Sequence, residues 1–174
     1  MSDYPFEVVD LGETDHVEVG DPAPDFTRPI VSDEFWEDAS LSELTANGPV
    51  ILVFFAMDGT GQAQNTWIQI RERGWGDDLT VVGVSISTPY EHRAFIDDHW
   101  LPYRLFSDPG NGVAERYGVV HDHDGMAGLS GARPAFYLID GDMEVAYCWV
   151  TTTWPASPDY DEIETAIDEL VARG

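Results

Sequence analysis

Lysine is missing from this 174-residue sequence, and all eight basic side chains are arginines, at positions 28, 71, 73, 93, 104, 116, 133 and 173. Against them stand 33 carboxylates, for a formal net charge of −25. Without clustered basic residues the chain cannot neutralise a phosphate backbone, which excludes nucleic acid as a partner. An anionic membrane surface is disfavoured on the same ground. No apolar stretch reaches the length of a membrane span. The opening residues, "MSDYPFEVVDLGETD", lack a basic region followed by an apolar one, so no secretory signal is visible and the expected compartment is the cytosol. The one cysteine, Cys148, excludes an intramolecular disulfide and any cysteine-based zinc cluster.

What remains is a folded composition. Hydrophobic residues make up 43% and aromatics 12% of the chain, enough for one domain with a real core. A charge of −25 on such a core is self-repelling in dilute buffer. At molar salt the screening length falls to roughly 3 Å and the repulsion largely vanishes. The composition therefore points to a protein of salt-crowded cytosol, as in extreme halophiles.

Hydrophobic periodicity predicts alternating strands and helices. Residues 50–55 and 79–87 are continuous apolar runs of the kind that form strands covered on both faces. Helices are predicted over 60–73, stopped by Gly74, over 88–100, with Thr88 as cap and Pro89 in the first turn, and over 161–173. Ala63, Trp67 and Ile70 share one helix face. Shorter helical turns are expected at 40–44 and 111–117, and a hairpin at 135–150 turning on Asp140-Gly141-Asp142. A further N-terminal β-hairpin is expected, pairing 6–11 with 17–19 around Gly12. The fold class is α/β, with helices flanking a central mixed β-sheet. Residues 1–18 form the N-terminal extension and 19–174 the domain.

At residues 50–67, "VILVFFAMDGTGQAQNTW", a buried strand runs into a helix across Asp58-Gly59-Thr60-Gly61. Such junctions often hold a reactive group, because the first helical turn leaves N–H groups for an anion. No Cys, Ser nucleophile or Lys follows this turn. Six segments in order, "VGDPAPDF", "LSEL", "VILVFFAMDGT", "VVGVSIS", "LFSDPGNGVAERYGV" and "ARPAFYLID", resemble the thioredoxin-fold peroxiredoxins, the alkyl hydroperoxide reductase/thiol-specific antioxidant group. The resemblance runs from about Val19 to the last helix and implies a thioredoxin-like fold and thiol peroxidase chemistry without a cofactor. The family's junction reads Pro-x-x-x-Thr-x-x-Cys, with a distant arginine completing the site. On this sequence those positions are Ala56, Thr60, Ala63 and Arg133. In the family the helix N-terminus and the guanidinium favour a thiolate that attacks the peroxide, the threonine orients it and the proline shields the sulfur. Thr60 and Arg133 match; Ala56 and Ala63 depart, and Ala63 has no nucleophilic atom.

Three function classes follow. The first is a binding or interaction module that has lost peroxidase chemistry, with a protein or small-molecule ligand at a vestigial pocket near Thr60 and Arg133. The second is an antioxidant enzyme using Cys148, although a cysteine inside a predicted strand reads as an inert buried residue. The third is metal binding through His121 and His123 in "HDHD", for which no further histidine stands at a completing spacing. Met57 cannot form a sulfenic intermediate. Asp58 favours the helix dipole but repels an anion. His92 and His99 read as surface residues, and the tryptophans as packing. A homodimer is the expected assembly, with Trp36 and Trp154 as exposed aromatic anchors.

Stability is predicted to depend on salt. The thermal unfolding midpoint should rise by several degrees or more from dilute buffer to molar KCl; equal midpoints would contradict the charge argument.

Overall fold

Five consecutive residues with almost no exposed surface, Val50 to Phe54, form an interior strand of the sheet. A computed structural model describes residues 8–121, 126–155 and 157–173. In chain order its elements are β1 (Val9–Asp10), β2 (Thr27–Val31), β3 (Trp36–Ser40), α1 (Leu41–Thr45), β4 (Val50–Phe54) and α2 (Gly61–Arg73). Then come β5 (Thr80–Ser85), α3 (Pro89–His99), β6 (Arg104–Ser107), α4 (Gly112–Tyr117), β7 (Val120–His121) and β8 (Gly131–Ala132). The chain continues through β9 (Ala135–Ile139), β10 (Val145–Val150), β11 (Thr153–Trp154) and α5 (Tyr160–Arg173). Seven strands form the main sheet in the order β10-β9-β4-β5-β6-β2-β3. The β4–β5 and β5–β6 pairs are parallel and the remainder antiparallel, so the sheet is mixed.

Helices on both faces explain why β4 is apolar at every position. Val50, Leu52 and Phe54 enter one core with Leu41, Leu44, Val113 and Tyr117, from α1 and α4. Ile51, Val53 and Phe55 enter the other with Trp67, Ile70, Ile96 and Ile163, from α2, α3 and α5. Local signals and tertiary packing agree at the helix ends. Gly74 closes α2 in the left-handed conformation at φ 66°, where glycine carries no Cβ penalty. Thr88 and Glu91 form a reciprocal capping box at the start of α3.

The N-terminal hairpin is built from other residues than expected. Val17–Val19 form no strand, and β1 pairs antiparallel with β11, Val9 opposite Trp154 and Asp10 opposite Thr153. Residues 6 and 7 lie outside the described residues. The hairpin near this end of the chain is β2–β3, closed by Ser32, whose hydroxyl donates to the Phe35 carbonyl. Pro29 masks β2 in the sequence. It is tolerated because β6 pairs only with Ile30 and Val31, beyond the missing N–H. Residues 8–18 are tied into the domain: Leu11 N–H donates to Thr152 and Val17 N–H to Tyr117.

Gly83, on β5, faces α2. A Cβ there would meet Trp67, Leu105 and Phe55. Gly83→Ala should therefore destabilise the protein by about 1–3 kcal/mol in chemical denaturation, through overpacking; an unchanged midpoint would refute this packing.

Candidate functional site

The strand-to-helix junction is positioned from both sides. β4 ends against the β9 residues Ala135 and Phe136, and the chain then turns through Met57 to Thr60 into α2. Thr60 is the helix cap: its Oγ1 accepts from the Ala63 N–H at 3.1 Å and donates to the Met57 carbonyl at 3.3 Å. The hydroxyl is thus committed to the first turn. Ala56 and Ala63 are both buried. Together with Thr60, Thr66, Pro134 and Trp154 they line a cavity of about 10 Å³, the room of roughly one water molecule. The structure therefore brings together three of the four residues singled out in the sequence, Ala56, Thr60 and Ala63.

The fourth points elsewhere. Arg133 is 3% exposed, and its Nη1 donates to the carbonyls of Gly12 at 2.8 Å and Thr151 at 3.1 Å. Its guanidinium lines a separate cavity with Thr14, His16 and Glu18. Burial lowers its pKa from the ordinary arginine value. The physical reason for this placement is the N-terminal segment, whose Gly12 carbonyl is supplied from 121 residues away in the chain.

Beneath the junction lies a polar network that the sequence reading missed. His92, expected at the surface, has no exposed area. Its Nδ1 sits 2.9 Å from each Asp58 carboxylate oxygen, and its Nε2 lies 3.0 Å from the Phe106 carbonyl. A carbonyl only accepts, so Nε2 carries a proton; Nδ1 and the carboxylate share another. The Asp58 N–H donates to Ser87 Oγ, the Ser87 N–H to Ser85 Oγ, and Ser107 Oγ–H to the Ser87 carbonyl. The loop is thereby fastened to the ends of β5 and β6. Asp58 serves His92 rather than the helix dipole alone. The available signal was spacing: Phe95 and Ile96 follow His92 by three and four residues, on the buried face of α3. His99 is half-buried, its ring 4.5 Å from that of Phe95.

Cys148 is half-buried on β10, not fully buried as expected. It packs on the core with Tyr137 and Val150, whereas Ala63 and Trp67 belong to the core on the opposite face of the sheet. Burial raises its thiol pKa, Glu18 and Asp21 raise it further, and a hydrogen bond with the Val19 backbone opposes them. His121 is half-buried in β7, while residues 122–125, including His123, lie outside the described residues. Among the described residues no group of three or more His, Cys, Asp or Glu side chains is placed to hold a metal ion. Trp36 and Trp154 are half-buried rather than exposed: Trp36 meets the Tyr90 ring edge-on at 5.0 Å, and Trp154 lines the cavity beside Ala63. No described helix is long and apolar enough to cross a membrane.

The raised pKa leaves little thiolate at neutral pH. Alkylation of Cys148 in folded protein at pH 7 should therefore be slower than in the unfolded chain, and its rate should still be climbing at a pH where the unfolded chain's rate has levelled off. Equal rates would refute this environment.

The profile of the AhpC/TSA family matches residues 19–148. A candidate peroxiredoxin, bcp, of Coxiella burnetii is 32% identical over 141 residues, covering 76% of this chain and 88% of the relative. The chloroplastic peroxiredoxin Q of Gentiana triflora is 31% identical over 136 residues, 75% of this chain but 59% of the relative's length. Among solved structures, peroxidoxin BcpB of Mycobacterium tuberculosis superposes with a TM-score of 0.74 at 24% identity, over 90% of this chain and 98% of that one. The reduced 2-Cys peroxiredoxin of Plasmodium vivax gives 0.76 at 22% identity, again over 90% and 98%.

Proposed function

Given that the chain belongs to the AhpC/TSA family, we propose that it has kept the family's frame without its peroxide chemistry and acts as a binding or interaction module in salt-rich cytosol. One observation carries the reading. The first turn of α2, where the family's motif ends in cysteine, holds the buried methyl group of Ala63. A methyl group can neither attack an O–O bond nor be stabilised as an anion by the helix N-terminus. Three further placements support it. Thr60 spends its hydroxyl on the cap. Arg133 lines another cavity. Cys148 lies across the sheet from α2, so it cannot substitute in place. The compartment follows from the charge of −25, which suits high ionic strength.

Peroxide consumption with a thiol-regenerating system tests this. Wild-type protein should match the uncatalysed thiol reaction. Ala63→Cys should introduce a thiol that alkylates at lower pH than Cys148, because the helix N-terminus favours the thiolate. Its turnover should stay poor, with Trp154 and a cavity of about 10 Å³ limiting entry and Cys148, in the core on the other face of the sheet, not placed to resolve a sulfenic acid. Ala56→Pro with Ala63→Cys should exceed the single variant. Wild-type activity lost in Cys148→Ala would establish the antioxidant alternative; activity surviving that change would require a centre outside both positions.

A further inference from the structure

Arg133 poses a charge problem. The chain has 33 carboxylates, yet this buried guanidinium makes no ion pair among the described residues. Both of its hydrogen bonds leave from Nη1, towards neutral carbonyls. Nε is buried and has no hydrogen-bond partner among the described residues. A guanidinium offers five N–H groups, and a buried cation without counter-charge is costly.

The cavity it lines measures about 230 Å³, room for several waters at roughly 30 Å³ each. Its wall is graded in charge. Arg133 and Thr151 are the buried members, whereas Glu13, Glu18 and Thr152 are exposed. Positive charge therefore sits at the inner end and negative charge at the rim. His16 lies between them in exposure. Its Nδ1 is 2.7 Å from the Val17 carbonyl and so carries the proton, which leaves Nε2 of the neutral ring as an acceptor.

We infer that this cavity is a binding site for a small zwitterion of the amino-acid class. The carboxylate meets the Arg133 guanidinium and the ammonium group lies towards Glu13 and Glu18. A simple anion would gain the arginine but face two carboxylates on entry; a simple cation would face the arginine at the inner end. Only a ligand with both charges matches both ends. The inference does not depend on the loss of peroxide chemistry, because Ala63 lines a different cavity.

Calorimetric titration of the full chain at one fixed salt concentration, the lowest at which it stays folded, separates the three cases, with glycine, acetate and methylammonium as probes. Glycine should bind saturably, about tenfold tighter than acetate, and methylammonium should give no saturable heat. Thr152→Trp, at an exposed lining position, should block the cavity and abolish glycine binding with the unfolding midpoint retained. Arg133→Gln should also abolish it, with some loss of stability because Gly12 and Thr151 lose their donor. Acetate binding as tightly as glycine, no saturable heat with any probe, or glycine binding that persists in folded Thr152→Trp would each overturn the inference.

Discussion

The buried contact between Asp58 and His92 is the constraint on which the site's geometry depends. Both side chains are withdrawn from water; the Asp58 N–H is answered by Ser87 just past β5, the Asp58 carboxylate by His92 on α3, and the second His92 nitrogen by the Phe106 carbonyl on β6. Burying such a pair carries a desolvation cost that only good geometry offsets, while removing one partner leaves the other uncompensated. What the pair supplies is a fixed path for the chain between β4 and α2. That path sets where α2 begins, hence where the Thr60 cap and the Ala63 methyl group lie.

The sheet then divides the molecule's chemistry. One face carries α2, α3 and α5, with Ala63 in the first turn of α2; the other carries Cys148, Tyr137 and the approach of the N-terminal segment. Burial pushes the Tyr137 hydroxyl above its usual range, and that hydroxyl donates to the Val17 carbonyl at 2.8 Å. Side-chain reorientation alone would not carry Cys148 to the first turn of α2. The arginines follow the same division of labour. Arg28 pairs with the nearly buried Asp108 at 2.9 Å, and Arg73 with Asp161 and Glu164 on α5, whereas Arg133 is held by carbonyls. A strongly acidic surface thus coexists with one buried cation that has no carboxylate beside it among the described residues.

The elements legible in the sequence were those fixed by local chemistry. The β4 run, the Thr88 cap, the Gly74 stop and the β9–β10 hairpin each carry a signal within a few residues, and each stands where periodicity and capping place it. The shared face of Ala63, Trp67 and Ile70 was readable for the same reason. What escaped depends on distant partners. The β1–β11 pairing joins residues some 140 positions apart, beyond the reach of any local pattern. β2 was hidden by Pro29, whose missing N–H matters only once the end of β6 is known. His92 looked like surface because its carboxylate partner is 34 residues away. Arg133 could be aligned with a family position, but its direction is set by the Gly12 carbonyl.

On the proposed reading, Cys148, the single thiol of the chain, does not react with peroxide as a site would. Intact-mass analysis of folded protein after exposure to one equivalent of hydrogen peroxide, with a sulfenic-acid trap present, tests it most directly. The account predicts an unmodified mass at Cys148 on the time scale in which a free thiol begins to oxidise. Rapid, stoichiometric trapping at Cys148 would contradict it.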